Sequence, residues 1–237
     1  MSVLRTDEPV EGVLRLRLDR PAKRNAVDRD LAEALAEAFG SSDAKVVILG
    51  SSGPEAFCAG LDLSLEPAER VAVSDLLYET YERMLASPAP IVASIPGPAI
   101  GGGAQLAIAA DLRVAGQTAQ IRFAGPGHGL AVGAWGLGSL VGRGRAMDLC
   151  LSMRPVSADE AAAIGLVDRV AHDPDAEALE LATRLVRLNG PAVARVKRLV
   201  TSDGLLEALR RERRDNMSTW SGEIPEGSLA APLRDDA

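Results

Sequence analysis

Residues 99–112, AIGGGAQLAIAADL, set three consecutive glycines at the head of a helix-forming apolar run. The first N–H groups of a helix have no intrahelical partner, and the helix dipole gives them positive potential. A glycine-rich start therefore draws negative charge to bare backbone, either a phosphate or an oxyanion formed during a reaction. Glycine triplets also occur where a helix packs closely on a strand, so anion cradle and tight packing both remain open. Gln105 lies on the first turn of this helix, where a neutral amide faces the same place.

The flanking pattern says what carries that helix. GVLRLRLDRP (12–21) alternates apolar and charged residues, the period of a half-buried strand ended by proline. DRDLAEALAEAFG (28–40) reads as an amphipathic helix capped by Asp28 and stopped by Gly40. AKVVILGSS (44–52) and APIVASIPG (89–97) are apolar enough to be strands buried on both faces, and the second runs straight into the glycine helix. A loop over 53–67 leads to a helix from about Ser74 to Leu85, and DLRVAG (111–116) and AQIRFAG (119–125) are further short strands. Strand and helix in alternation read as right-handed crossover units around a mostly parallel sheet.

From about residue 144 helices dominate. SADEAAAIGLVDRV (157–170) is a capped helix followed by a short strand. Helices are then expected over 174–189, 191–201 and 204–216, broken at Asn189-Gly190-Pro191 and at Gly204, with residues 226–237 fraying. The expected layout is an α/β core over 1–175 and a helical region over 176–237.

Composition narrows the function. A net charge of −7 argues against a nucleic-acid-binding surface or an anionic membrane patch. The short basic run Arg210, Arg211, Arg213, Arg214 sits among Glu207 and Glu212 and reads as a solvated helix face. Cys58 and Cys150 form no CxxC and no paired framework, which suits a reducing cytoplasm, and no signal peptide or membrane span is visible. With only His128 and His172, and no HExxH or Cys/His cluster, a protein-held metal is not expected.

Four stretches in register then resemble one family. LDRPAKRNAV (18–27), EAFCAGLDL (55–63), IPGPAIGGGAQLAIAADLRVA (95–115) and SADEAAAIGLVDRV (157–170) match the order and spacing of the crotonase, or enoyl-CoA hydratase/isomerase, superfamily, with PAVARVKRLV and PEG (225–227) similar to its C-terminal helices. The resemblance implies a crotonase-like fold, a spiral of ββα units with a helical C-terminal trimerisation region, assembled as a homotrimer or hexamer. It implies an acyl-CoA thioester as substrate, coenzyme A entering as part of that substrate and no other cofactor. By position, the amides of Leu61 and Gly102 correspond to the family's oxyanion hole, so the charge at the glycine helix would be a thioester enolate. PAKRNA resembles the CoA-binding turn, with Lys23 and Arg24 near the phosphates and Asn25 and Ala26 shaping the loop. Ala59, Gly60 and Gly101 belong to the same CoA and thioester site, and Asp62 fits the AGxD pattern in a turn-capping role.

The chain also departs from the family. Hydratases place one glutamate on the first turn of the glycine helix and another after a later proline; here those positions are Gln105 and Gly127. An amide can hydrogen-bond a water or a carbonyl but cannot take and return a proton, and glycine can do neither. His128, beside the vacant place, is the remaining acid/base candidate, with a packing role as its alternative. Glu66 and Glu69 could supply a carboxylate from the loop side, although a helix-start role fits both. Cys58 reads as packing and His172 as structural. Two functions stay open: a thioester-processing lyase or isomerase that is no efficient standard hydratase, and a non-catalytic acyl-CoA-binding or scaffold protein. AIGGGAQ lacks the GxGxxG spacing of a dinucleotide site.

Overall fold

A computed structural model describes residues 2–225. Its frame is a six-stranded sheet in the order β1 (Leu4–Val10), β2 (Val13–Leu18), β3 (Val46–Ser51), β4 (Ile91–Ile95), β6 (Leu112–Gly116), β9 (Arg169–Ala171). Only the β1–β2 hairpin is antiparallel; every later pair is parallel, as the crossover reading requires. A small second sheet, β5 (Ala99–Ile100), β7 (Gln120–Arg122) and β8 (Val156–Ser157), stands beside it.

The helices are α1 (Arg29–Ser41), α2 (Pro67–Ala86), α3 (Gly102–Ala109), α4 (Ala134–Val141), α5 (Arg143–Ser152), α6 (Ala158–Ala163), α7 (Pro174–Leu185) and α8 (Gly190–Thr219). Each central strand buries both faces. Val47, Leu49, Ile91, Ala93, Ile95 and Ala115 pack toward α1, α2 and α3, while Ile48, Val92 and Val114 pack against Ala178, Leu181 and Ala182 of α7. This period-2 split produces the unbroken apolar runs seen in the sequence. Ala, Leu and Val fill the interior, as a chain with 3% aromatic residues must.

Several boundaries move. Strand β1 went unread because four of its seven residues are charged or polar; it is an edge strand with a largely exposed face. Helix α2 begins at Pro67, not Ser74, since proline is favoured in a first turn. Gly40 does not stop α1 but lies inside it, where a Cβ would collide with the Arg83 guanidinium that donates to the Ala36 carbonyl. Gly204 does not break the C-terminal region either: residues 190–219 are one helix. A lone glycine costs a helix about 1 kcal/mol, and α8 is held at points that outweigh it. Lys197, 7% exposed, donates to the carbonyls of Met84 and Ala89, each at 2.9 Å, and pairs with Asp111 at 2.8 Å. Arg213 pairs with Asp75 and Arg210 with Glu82, so two arginines of the basic run bind α2. Among the described residues no helix is long and apolar enough to cross a membrane. The expected fraying of 226–237, and most of PEG, fall outside the described residues.

Candidate active site

The glycine helix starts where two chain segments meet. Gly60 (φ 87°) and Gly101 (φ 53°) both adopt the left-handed region. A Cβ on Gly60 would stand 2.6 Å from the Ile100 carbonyl oxygen and 3.2 Å from the Gly102 nitrogen. A Cβ on Gly103 would run into the Cys58 carbonyl and lie 2.7 Å from the Cys58 Cβ. The packing reading of the triplet holds at Gly103, while Gly101 and Gly102 open the helix.

Val27 bridges this segment, its N–H donating to the Gly60 carbonyl at 2.7 Å and its carbonyl accepting the Asp62 N–H at 2.9 Å. That pairing turns the Leu61 N–H to the other side of the segment. Gly102 is the first residue of α3, so its N–H has no partner within the helix. Among the described residues, no backbone hydrogen bond takes up either amide. Tyr81 Oη donates to the Gly102 carbonyl at 2.9 Å and ties the first turn of α3 to α2. Both N–H groups belong to the two segments that meet at Gly60 and Gly102.

The loop of Lys23–Ala26 is fastened beneath it. Asn25, 1% exposed and at φ 55°, accepts the Arg20 N–H at 2.9 Å and donates to the Ala56 carbonyl at 3.0 Å. Arg24, also in the left-handed region, accepts the Ala59 N–H at 3.0 Å through its carbonyl. The side chains of Lys23 and Arg24 are exposed. Asp62 accepts from the Ser64 N–H at 3.1 Å and the Ser64 hydroxyl at 2.6 Å, the turn-capping role expected of it. Burial opposes its charge, but those bonds, with Arg20 and Lys23 nearby, outweigh burial and lower its pKa. Arg20, unread in the sequence, pairs with both Asp28 and Asp62 and donates to the Ala26 carbonyl.

The expected acid/base groups separate. Glu69 forms a bidentate pair with Arg29 (2.6 and 2.9 Å), and Glu66 occupies the N-cap position of α2. Gly127 lies in a short 3-10 turn, Pro126–His128, and its N–H points at the Met153 sulfur, 3.1 Å away. His128 is half-buried, with Nδ1 enclosed and without a partner. Burial, and then the charges of Arg122 and Arg70, lower its pKa. Cys58 is fully buried; its thiol donates to the Asn25 carbonyl and desolvation pushes its pKa up to about 12. His172 is exposed in the turn between β9 and α7, on a segment apart from the glycine helix.

Gln105 differs most from expectation. It is 4% exposed, and its carbonyl oxygen already accepts the Trp135 indole N–H at 2.8 Å and the Gly133 N–H at 3.1 Å. Glu212, expected on a solvated face, is 6% exposed and accepts the same Gly133 N–H at 3.1 Å, the Trp135 N–H at 2.9 Å and the Tyr78 hydroxyl at 2.8 Å. Desolvation raises its pKa to about 7 against the pull of those bonds. One signal was present in the sequence: Leu209, Glu212 and Asn216 are spaced by three and four, so the apolar stripe of α8 continues into both polar residues. Among the described residues, no group of His, Cys, Asp and Glu is arranged to hold a metal ion.

Comparison with known proteins shows the family. The family model described as enoyl-CoA hydratase/isomerase matches residues 8–221, and the chain belongs to that family, with the crotonase fold. It is 40% identical over 203 residues to the probable enoyl-CoA hydratase echA6 of Mycobacterium tuberculosis, covering 83% of this chain and 82% of that one. An enoyl-CoA hydratase/isomerase structure from Mycobacterium paratuberculosis superposes with a TM-score of 0.86 at 25% identity, covering 95% of each chain. An enoyl-CoA hydratase structure from Mycobacterium avium subsp. paratuberculosis gives 0.82 at 29% identity, over 92% of this chain and 93% of that one.

Replacing Gln105 by Glu would put two carboxylates on one buried N–H. Such a pair resists ionising together, and each pKa unit of upward shift is worth roughly 1.4 kcal/mol. A raised folded-state pKa gives stability at low pH that is lost as pH rises through it. Gln105→Glu should therefore melt below wild type, by more at pH 8 than at pH 5.5, and Glu212→Gln in the same chain should return most of the loss. Equal melting of Gln105→Glu and wild type at pH 8 would show that the two side chains do not share a site.

Proposed function

We propose that this chain binds an acyl-CoA thioester with its carbonyl oxygen between the Leu61 and Gly102 amides, and processes it through an enolate or related oxyanion. The observation that carries this reading is the approach of Gly60 to Gly102, which leaves two backbone donors unused beside the N-terminus of α3. Fixed donors stabilise charge that develops on the thioester oxygen without reorganising, and losing one costs about 2.7–4 kcal/mol of transition-state stabilisation. Lys23 and Arg24 supply positive charge for the phosphates of CoA, with Asn25, Ala26, Ala59, Gly101 and the Asp62 turn shaping the backbone around them. Cys58 and Cys150 are both unpaired, which suits work in a reducing cytoplasm.

The reaction is a lyase- or isomerase-type conversion, not efficient hydration of the standard kind. Gln105 cannot shuttle a proton and its oxygen is occupied, and Gly127 offers no side chain. His128, whose pKa burial lowers, is the candidate acid/base group. The same occupation of Gln105 favours a second reading, a non-catalytic acyl-CoA-binding or scaffold protein. We also assign assembly into a homotrimer or hexamer, because Leu188, Val196, Leu199 and Val200 are 56–79% exposed around the first half of α8.

Short-chain and long-chain CoA thioesters should raise the melting temperature in a dose-dependent way, whereas NAD and ATP should do much less. Hydration of a short trans-2-enoyl-CoA should run about 10²–10⁴-fold below a hydratase with its glutamate pair. Stabilisation by NAD as large as by acyl-CoA would sink the ligand assignment. In a panel of thioesters followed by mass spectrometry, His128→Ala should abolish turnover and keep binding; no turnover of any thioester by wild type would favour the binding protein. Light scattering should give three or six subunits, and a clean monomer at micromolar concentration would contradict the assembly.

A further inference from the structure

Glu212 is a buried carboxylate with no ion-pair partner among the described residues. The groups that act on it are the Tyr78 hydroxyl from α2 and the N–H groups of Gly133, Ala134 and Trp135 at the head of α4. The other titratable groups around it, Tyr81 on α2 and Cys150 on α5, are both pushed to higher pKa by burial first and by the Glu212 charge among other causes. Gln105, Trp135 and Asn216 contribute only neutral contacts. So the anion is held by the opening N–H groups of α4, a helix terminus that favours negative charge.

The contacts make this more than a cap. The Gly133 N–H is shared between Glu212 Oε1 and Gln105 Oε1, so the α8 carboxylate stands beside the α3 position that carries a glutamate in hydratases. Asn216 extends the same hold, donating to Tyr78 Oη and the Ala131 carbonyl and accepting the Ala131 N–H. Residues 131–135, the stretch that follows His128 and its turn, are thereby fixed by the C-terminal helix and not by the core sheet.

Two hydrogen-bond states are available to this cluster. With Glu212 ionised, Tyr78 donates to it and the α4 amides share a full negative charge. With Glu212 protonated, the acid donates to Tyr78 Oη and the Tyr78 proton turns to the Ala131 carbonyl, 3.4 Å away. The amides then lose their anionic acceptor, and the hold on 131–135 weakens.

We propose that Glu212 is a positioning residue for the acyl site: through Gly133, Trp135 and Gln105 it holds the wall next to the thioester, and acyl-CoA binds more tightly when Glu212 is ionised. The binding half rests on the acyl-CoA reading above. The structural half does not.

Trp135 and Trp220 are the two tryptophans of the chain, so Trp220→Phe leaves Trp135 as the single reporter. In full-length Trp220→Phe protein, Trp135 emission should titrate with one midpoint near pH 7, should keep that midpoint when His128 is also changed to Gln, and should lose it when Glu212 is changed to Gln. The dissociation constant for a saturated acyl-CoA, measured on wild type across the same range, should fall by about tenfold as pH rises through the midpoint, the equivalent of one charge-assisted hydrogen bond. Glu212→Gln should bind weakly and without pH dependence. A flat Trp135 titration, or one abolished by His128→Gln, overturns the proposal whether or not the Glu212 variant folds. Titration of Trp135 with pH-independent acyl-CoA affinity overturns the positioning role. A Trp135 titration with no thioester binding at any pH leaves the buried switch standing and removes the acyl-CoA reading instead.

Discussion

The close approach of Gly60 to the first turn of α3 is the contact on which the site depends. Two segments some forty residues apart meet with no side chain between them, because a Cβ on Gly60 would strike the Ile100 carbonyl and one on Gly103 would strike Cys58. Around that contact the chain adds backbone fastenings, Val27 to Gly60 and Asp62, Arg24 to Ala59 and Cys58 to Ile100, and the Tyr81 hydroxyl on the Gly102 carbonyl. Each satisfies a buried polar group that would otherwise cost about 1–3 kcal/mol. Among the described residues, no backbone hydrogen bond takes up the Leu61 or the Gly102 amide. The parallel sheet makes this possible by delivering β4 and β5 straight into α3.

A second, polar cluster ties the site to the far end of the chain. Tyr78, Gln105, Trp135, Glu212 and Asn216 come from α2, α3, α4 and α8, and they bond one another and the backbone at 131–135. Buried networks of this kind are stable only when every member is satisfied, and none of these five residues has a buried side-chain nitrogen or oxygen without a partner. The network gives a physical reason for glutamine at position 105. A carboxylate there would face the one already contributed by Glu212.

The parallel central strands and the glycine helix were legible in the sequence because local signals agreed: apolar runs of strand length, an Asp28 cap that does accept the Leu31 N–H, and glycines at the point of contact. Strand β1 was not, because an edge strand can carry charges on its open face. The unbroken α8 was not, because its packing through Lys197, Leu209 and Arg213 overrides the weak preference of one glycine. Glu212 was misplaced for a related reason. Its arginine neighbours suggested solvent, whereas its spacing from Leu209 put it inward, and only tertiary contact with α4 decides between the two. The occupied state of Gln105 depends on Gly133 and Trp135, nearly thirty residues away in the chain, and no local pattern announces it.

The central claim is that two backbone amides polarise a thioester carbonyl, and isotope-edited infrared spectroscopy of a carbonyl-labelled acyl-CoA tests it most directly. Bound to wild-type protein, the thioester carbonyl stretch should move to lower frequency than in free solution. Replacing the Gly101–Gly102 amide by a backbone ester removes one donor without adding atoms where a Cβ would crowd Leu77 and Tyr81, and should reverse part of that shift while the ligand remains bound. A carbonyl frequency unchanged on binding to wild type, or an equal shift with the ester at Gly102, would contradict the assignment.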